Sequence, residues 1–154
     1  MRIVAGTARS RTILAPEGRD TRPTLDRVRE NLFNILQWHC RDAQVLDLFA
    51  GSGALALEAL SRGAAGAVLA DRDPRAVRIE RQNVENLGFA DRARVIQAEW
   101  QETLRRLAAE NMTFQLVFLD PPYAMKDLSA VFEALRSGGM IDETSLLVGE
   151  HKAE

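Results

Sequence analysis

The sequence predicts an α/β fold, a parallel doubly wound sheet with helices on both faces. Three observations carry this. From residue 44 onward, short apolar runs alternate with helical segments. The runs are continuous rather than alternating, as in "GAVLAD" and "FQLVFLD", which marks strands buried on both sides. A glycine turn, "AGSGALA", joins the first run to the following helix.

The elements follow in order. Residues 1–23 lack helical periodicity, and "RIVAG" and "RTILAP", separated by Gly6 to Ser10, predict a small β-hairpin. Pro16, Gly18 and Pro23 then punctuate a loop. "TLDRVRENLFNILQWHC" reads as a helix, with Leu25, Val28, Leu32, Ile35 and Leu36 on one face. Thr24 is its expected N-cap, and Asp26 suits its first turn. Strands are expected at 44–50, 66–71, 93–98, 114–120 and 145–151. Helices are expected at 54–62, 74–87, 100–110 and 128–136, with Gly63 and Gly88 ending the first two and Gly138-Gly139 following the last.

In a doubly wound sheet, ligands bind beyond the carboxyl ends of the strands, at the switch point. Three stretches fall at such ends: "DLFAGSG", "ADRD" and "DPPY". Topology predicts that they share one crevice.

The chain has 154 residues, 46% hydrophobic and 27% charged, enough for one domain with a real core. Neither a long apolar run nor a signal-peptide pattern opens it, so a cytoplasmic protein without membrane contact is expected. Cys40 is alone and reads as an inert thiol. His39 and His151 are isolated, so no metal is expected, and Trp38 is expected to pack at a helix end.

The net charge of −2 is unevenly spread: residues 1–29 hold seven Arg against three acids, a balance of +4, leaving −6 for the rest. Such an arm can bind a polyanion. A solvated, salt-bridged terminus explains the charge equally well.

Gly51-x-Gly53-x-x-Ala56 matches a nucleotide-cofactor loop, with Asp71 placed 20 residues on to accept ribose hydroxyls. NAD and S-adenosylmethionine both fit that pattern. Asp47, four residues before Gly51, favours S-adenosylmethionine. A carboxylate repels a pyrophosphate but can hydrogen-bond an ammonium. Glu99 ends the third strand and can accept from an adenine amino group, with Trp100 beside the ring; Trp100, Leu104 and Leu107 also form an ordinary core stripe.

"DPPY" holds more than a turn needs. An exocyclic amine is a poor nucleophile because its lone pair is delocalised into the ring. Two fixed acceptors can take its N–H bonds and turn the lone pair toward a methyl donor. Asp120 supplies one acceptor and the Pro121 carbonyl the other. Pro121 and Pro122 lock the backbone, and Tyr123 offers a face for a flipped base.

"DLFAGSGALALEALSRGA", "DPPY" and "TRPTLDRVRENLFNIL" together resemble the bacterial 16S rRNA (guanine-N2)-methyltransferases of the RsmD type, from Met1 to about Glu150. The resemblance implies a Rossmann-like methyltransferase fold using S-adenosylmethionine. It carries Asp47, Gly51, Gly53 and Asp71 over as cofactor residues, and the same stretches add Phe49, Ala50, Ser52 and Arg72. It carries Asp120 to Tyr123 over as the catalytic loop. The Arg-rich start becomes the RNA-contacting element, with Arg2, Arg9, Arg11, Arg22 and Arg27 as candidates.

Residues 1–23 are then a basic extension and 24–154 the methyltransferase domain. The partner implied is ribosomal RNA or a small-subunit assembly particle, met by a monomer. Members usually have Asp where Glu99 aligns. The resemblance also implies an edge hairpin beyond "HKAE", so a chain trimmed at the C-terminus is expected. The alternatives are a DNA adenine-N6 methyltransferase, an NAD-dependent oxidoreductase and a non-catalytic RNA-binding assembly factor. The first lacks an obvious target-recognition domain, and Asp47 and DPPY disfavour the second.

Overall fold

Five strands, β1 (Gln44–Asp47), β2 (Gly66–Asp71), β3 (Ala93–Gln97), β4 (Leu116–Leu119) and β5 (Leu146–Gly149), form one parallel sheet in the order β3-β2-β1-β4-β5. The structure, a computed structural model, describes residues 1–15, 23–121 and 128–149, with backbone alone for 23–26. The expectations for Pro16, Gly18, Arg22, Pro122, Tyr123 and His151 lie outside these residues.

Five helices connect and flank the strands: α1 (Pro23–Cys40), α2 (Ala54–Ser61), α3 (Pro74–Asn86), α4 (Trp100–Ala109) and α5 (Ser129–Ser137). The chain builds outward from β1 to β3, then returns to add β4 on the other side of β1. The switch point therefore lies between β1 and β4, paired as Val45↔Leu116, Leu46↔Val117 and Asp47↔Phe118.

Successive strand residues point to opposite faces, so an apolar run feeds two cores. On one side Val45, Leu69, Leu116 and Phe118 meet Phe33, Leu36, Leu57 and Leu60. On the other, Leu46, Val68, Ile96 and Val117 meet Leu104, Leu107, Val131 and Leu135. This double burial is why the strands read as continuous apolar stretches. β2 spans the expected 66–71, while the other strands are shorter than expected, and β1 ends at Asp47 rather than residue 50. Beyond it the backbone splays: Leu48 N–H donates to Phe118 O at 3.2 Å on β4, and Ala50 N–H to Ala70 O at 2.9 Å on β2.

The expected hairpin forms as a single antiparallel bridge, Arg2↔Thr12, and Ile3 and Ile13 are buried in the first core. It is fastened to α2. The buried carboxylate of Glu58 accepts from Val4 N–H at 2.8 Å and Ala5 N–H at 3.1 Å. Ser61 Oγ accepts from Ala8 N–H at 2.9 Å and donates to Ala5 O at 2.6 Å. Gly6 takes φ +90°, and a Cβ there would lie 1.9 Å from Ser61 O, so this close approach requires glycine.

Helix α1 differs from expectation in three ways. It starts at Pro23, so Thr24 lies inside the first turn and is not the N-cap; a first-turn proline costs no hydrogen bond. Its buried face is Arg29, Phe33, Leu36 and Cys40, while Val28 and Ile35 are 58% and 74% exposed. Phe33, Leu36 and Cys40 enter the first core on this face, and the Arg29 guanidinium lies 3.6 Å from the buried Glu58 carboxylate. Trp38 is 85% exposed, not packed at the helix end. Cys40 is buried, and desolvation pushes its thiol up to about 11, which keeps it inert.

Candidate active site

The glycine turn fits its sequence pattern for two distinct reasons. Gly51 takes φ +58°, and a Cβ there would meet nothing within 4 Å, so its backbone lies open on one side. Gly53 takes φ +84°, and a Cβ there would lie 2.6 Å from Leu69 Cδ2. The first glycine leaves room above the loop; the second lets α2 start close against β2.

Asp71, ending β2, holds the turn. Its Oδ2 accepts from Gly51 N–H and its Oδ1 from Asp73 N–H, each at 3.0 Å. A carboxylate offers about four lone-pair sites, so two remain for a ligand. Asp73 then caps α3 by accepting from Arg75 N–H at 2.9 Å. Ser52 Oγ accepts from Ala54 N–H at 3.3 Å at the start of α2.

Asp47 lies beneath this turn, 1% exposed, and accepts from Ala56 N–H at 3.3 Å. Burial lifts its carboxyl to about 7; the Ala56 bond opposes the shift, and the charges of Asp120 and Asp71 add to it. The pairing of Asp47 with Leu69 on β2 and with Phe118 on β4 places the ends of these three strands in one neighbourhood. Asp120 follows β4 directly and is exposed, with Pro121 half-buried beside it.

The remaining candidates separate. Phe49 and Ala50 are half-buried and pack on opposite cores. Arg72 and Glu99 reach toward each other across the ends of β2 and β3, at 3.9 Å and largely exposed. Trp100 opens α4 and packs against the core that contains Leu104 and Leu107. Arg2, Arg9, Arg11 and Arg27 are all exposed. Arg11 donates to Asn86 O at 2.5 Å, at the far end of α3 from Asp71.

Two residues in α3 were not singled out by their sequence. Asn83 is fully buried and ties the turn to the arm. Its Nδ2 donates to Ser52 O and Leu14 O, each at 2.9 Å, and its Oδ1 accepts from Leu14 N–H at 2.8 Å. Glu80 is also fully buried, and neither carboxylate oxygen has a hydrogen-bond partner. A Cβ on Gly53 would come 3.7 Å from its Cγ. Burial raises Glu80 to about 9, Asp71 and Asp47 add to that, and Arg81 opposes it, so Glu80 is neutral at pH 7. The available signal was position: both sit on the apolar stripe that includes Ala76, Val77 and Val84.

Among the described residues no cluster of His, Cys, Asp or Glu is arranged to hold a metal ion, and no helix is long and apolar enough to cross a membrane. Asp47, Asp71 and Asp120 bring three carboxyl groups to the strand ends beside an open glycine backbone. Such a donor set disfavours a pyrophosphate and suits a ligand with cationic groups.

Known proteins share this architecture. The model of the family described as conserved hypothetical protein 95 matches residues 1–154. Ribosomal RNA small subunit methyltransferase D of Escherichia coli K12 is 42% identical over all of this chain and 76% of its own length. The Bacillus subtilis protein YlbH is 36% identical over all of this chain and 84% of its own. Among solved structures, the Escherichia coli protein yhhF superposes with a TM-score of 0.82 at 40% identity, covering 97% of this chain and 80% of that one. The chain therefore belongs to the conserved hypothetical protein 95 family, that of the RsmD-type methyltransferases.

Proposed function

We propose that this protein transfers a methyl group from S-adenosylmethionine to the exocyclic N2 amine of a guanine in 16S rRNA of the small ribosomal subunit. Asp120, at the carboxyl end of β4 beside the switch point and charge-coupled to Asp47, is the observation that carries the reading. The relatives named for small-subunit rRNA methylation support the substrate class. The cofactor supplies a methyl group on a sulfonium.

This chain's residues do the rest. Asp71 and the open Gly51 backbone hold the ribose end, and Asp47 favours the cationic amino-acid end. Glu99, with Trp100 and Arg72, borders the adenine side. The Asp120 carboxylate accepts one amine N–H of the flipped base, and the Pro121 carbonyl accepts the second. The nitrogen lone pair is thereby freed for in-line attack. Asp120 also stabilises the positive charge that develops on nitrogen until its proton leaves. Pro122 and Tyr123 fix the backbone and stack on the base. Residues 1–23 extend the domain toward the RNA. The enzyme acts in the cytoplasm as a monomer on rRNA or a small-subunit assembly particle.

Methyl transfer from labelled S-adenosylmethionine to unmodified small-subunit particles tests the assignment. Asp120→Ala should lower turnover by at least about 100-fold with cofactor affinity retained. Full turnover in that variant removes Asp120 from the chemistry.

A further inference from the structure

The glycine turn is held from two directions. Ala50 to Gly53 close it, with Gly53 N–H donating to Ala50 O at 2.8 Å. Within it, Gly51 N–H donates to Asp71 at 3.0 Å, and Ser52 O accepts from Asn83 Nδ2 at 2.9 Å. Asp71 belongs to the sheet. Asn83 belongs to α3 and is fully buried, and the rest of its amide is spent on the arm. Nδ2 also donates to Leu14 O at 2.9 Å, and Oδ1 accepts from Leu14 N–H at 2.8 Å. Both amide protons are thus committed. Because the amide is one planar group, a displacement of Leu14 either moves the donor to Ser52 O or breaks a bond.

The arm cannot order itself. Its two halves share the single bridge Arg2↔Thr12, and a lone hairpin is marginal at best in water. Its position depends on the body: on Ile3 and Ile13 in the first core, on Glu58 and Ser61 of α2, and on Asn83. Glu58 and Ser61 take up the start of the arm, through Val4, Ala5 and Ala8. Asn83 takes up its end and, among the described residues, is the polar anchor that also bonds the glycine turn. Arg2 and Arg9, between these anchors, remain exposed for a polyanion.

We infer that Asn83 is a positioning residue that couples the arm to the cofactor turn. RNA held on the arm fixes Leu14, Asn83 carries that constraint to Ser52 O, and the cofactor meets a turn already set. The ordering cost is met once for both ligands, so each tightens the other by the same factor. This rests on the proposed RNA substrate and on the arm as its contact.

The test uses the full chain, in vitro transcribed unmodified small-subunit rRNA, and S-adenosylhomocysteine, which has no methyl group to transfer. The affinity of each ligand is measured with and without saturating amounts of the other. In wild type both affinities should rise by about fivefold or more, and equally. Asn83→Ala should bind both ligands with the mutual effect lost. Gly6→Ala places a Cβ 1.9 Å from Ser61 O, which drives the arm off α2, and it should lose the effect too, including where Asn83→Ala does not fold. A role in stability alone would lower the melting temperature of Asn83→Ala and leave the mutual effect at its wild-type size; that result removes Asn83 from the coupling. Wild type that binds both ligands independently overturns the coupling and leaves the function intact. Wild type that binds S-adenosylhomocysteine but fails to bind the rRNA overturns both.

Discussion

Acidifying from about pH 7.0 to pH 5.5 should weaken S-adenosylmethionine binding by about fifteenfold, and Asp47 is the cause. In the free protein its carboxyl titrates near 7, because it is buried and faces the charges of Asp120 and Asp71. A cation bound nearby favours the ionised form and pulls that value down. Binding must then drive off the proton wherever Asp47 begins protonated. With a free value of about 7, ionised Asp47 falls from about half at pH 7.0 to about 3% at pH 5.5, which sets the fifteenfold.

The cofactor's own α-amino group, with an ordinary value of about 7.7–8.0, stays charged across that window and does not mask the effect. Titration calorimetry in buffers of different ionisation enthalpy reads the coupling directly. At about pH 6 it should show about 0.9 proton released per cofactor bound. Asp47→Asn cannot release that proton, so its affinity should be flat over the same window. Wild-type binding that is flat with pH, with no proton released, refutes the coupling.

Two further outcomes follow from the groups beneath the glycine turn. Glu80 titrates at about 9 in the folded chain against an ordinary 4.5, so the native state holds a proton that the unfolded state gives up. Stability is therefore lost as pH rises between those values, and Glu80→Gln, which cannot ionise, should gain melting temperature over wild type progressively from pH 5 to pH 9. A constant difference contradicts the assigned burial cost. Asn83→Leu strands Leu14 N–H, Leu14 O and Ser52 O without their side-chain partner. It should cost about 2–4 kcal/mol by denaturant unfolding and weaken cofactor affinity; wild-type values for both would show that the bridge is dispensable.

Much of the fold was legible because it depends on local signals. Burial on both faces writes itself as an unbroken apolar run, and Gly63 and Gly88 take positive φ just past their helices. The carboxyl-end rule then gathers Asp47, Asp71 and Asp120 without any contact being visible in advance. What was misread depends on partners far along the chain. Val28 and Ile35 match a helical stripe as well as Phe33 does. The choice between the two faces is made by groups on other elements: Phe33, Leu36 and Cys40 share the core of Leu57, Leu60 and Phe118, and Arg29 meets Glu58. Glu80 and Asn83 sit on the apolar stripe of α3, but the arm and the glycine turn that cover them lie far along the chain.

Product analysis identifies the methylated atom directly. Unmodified small-subunit particles should be treated with the purified protein and labelled S-adenosylmethionine, and the rRNA digested to nucleosides for mass spectrometry. N2-methylguanosine, absent when Asp120 is replaced by Ala, is the expected product. N6-methyladenosine, or no labelled nucleoside at all, would contradict it.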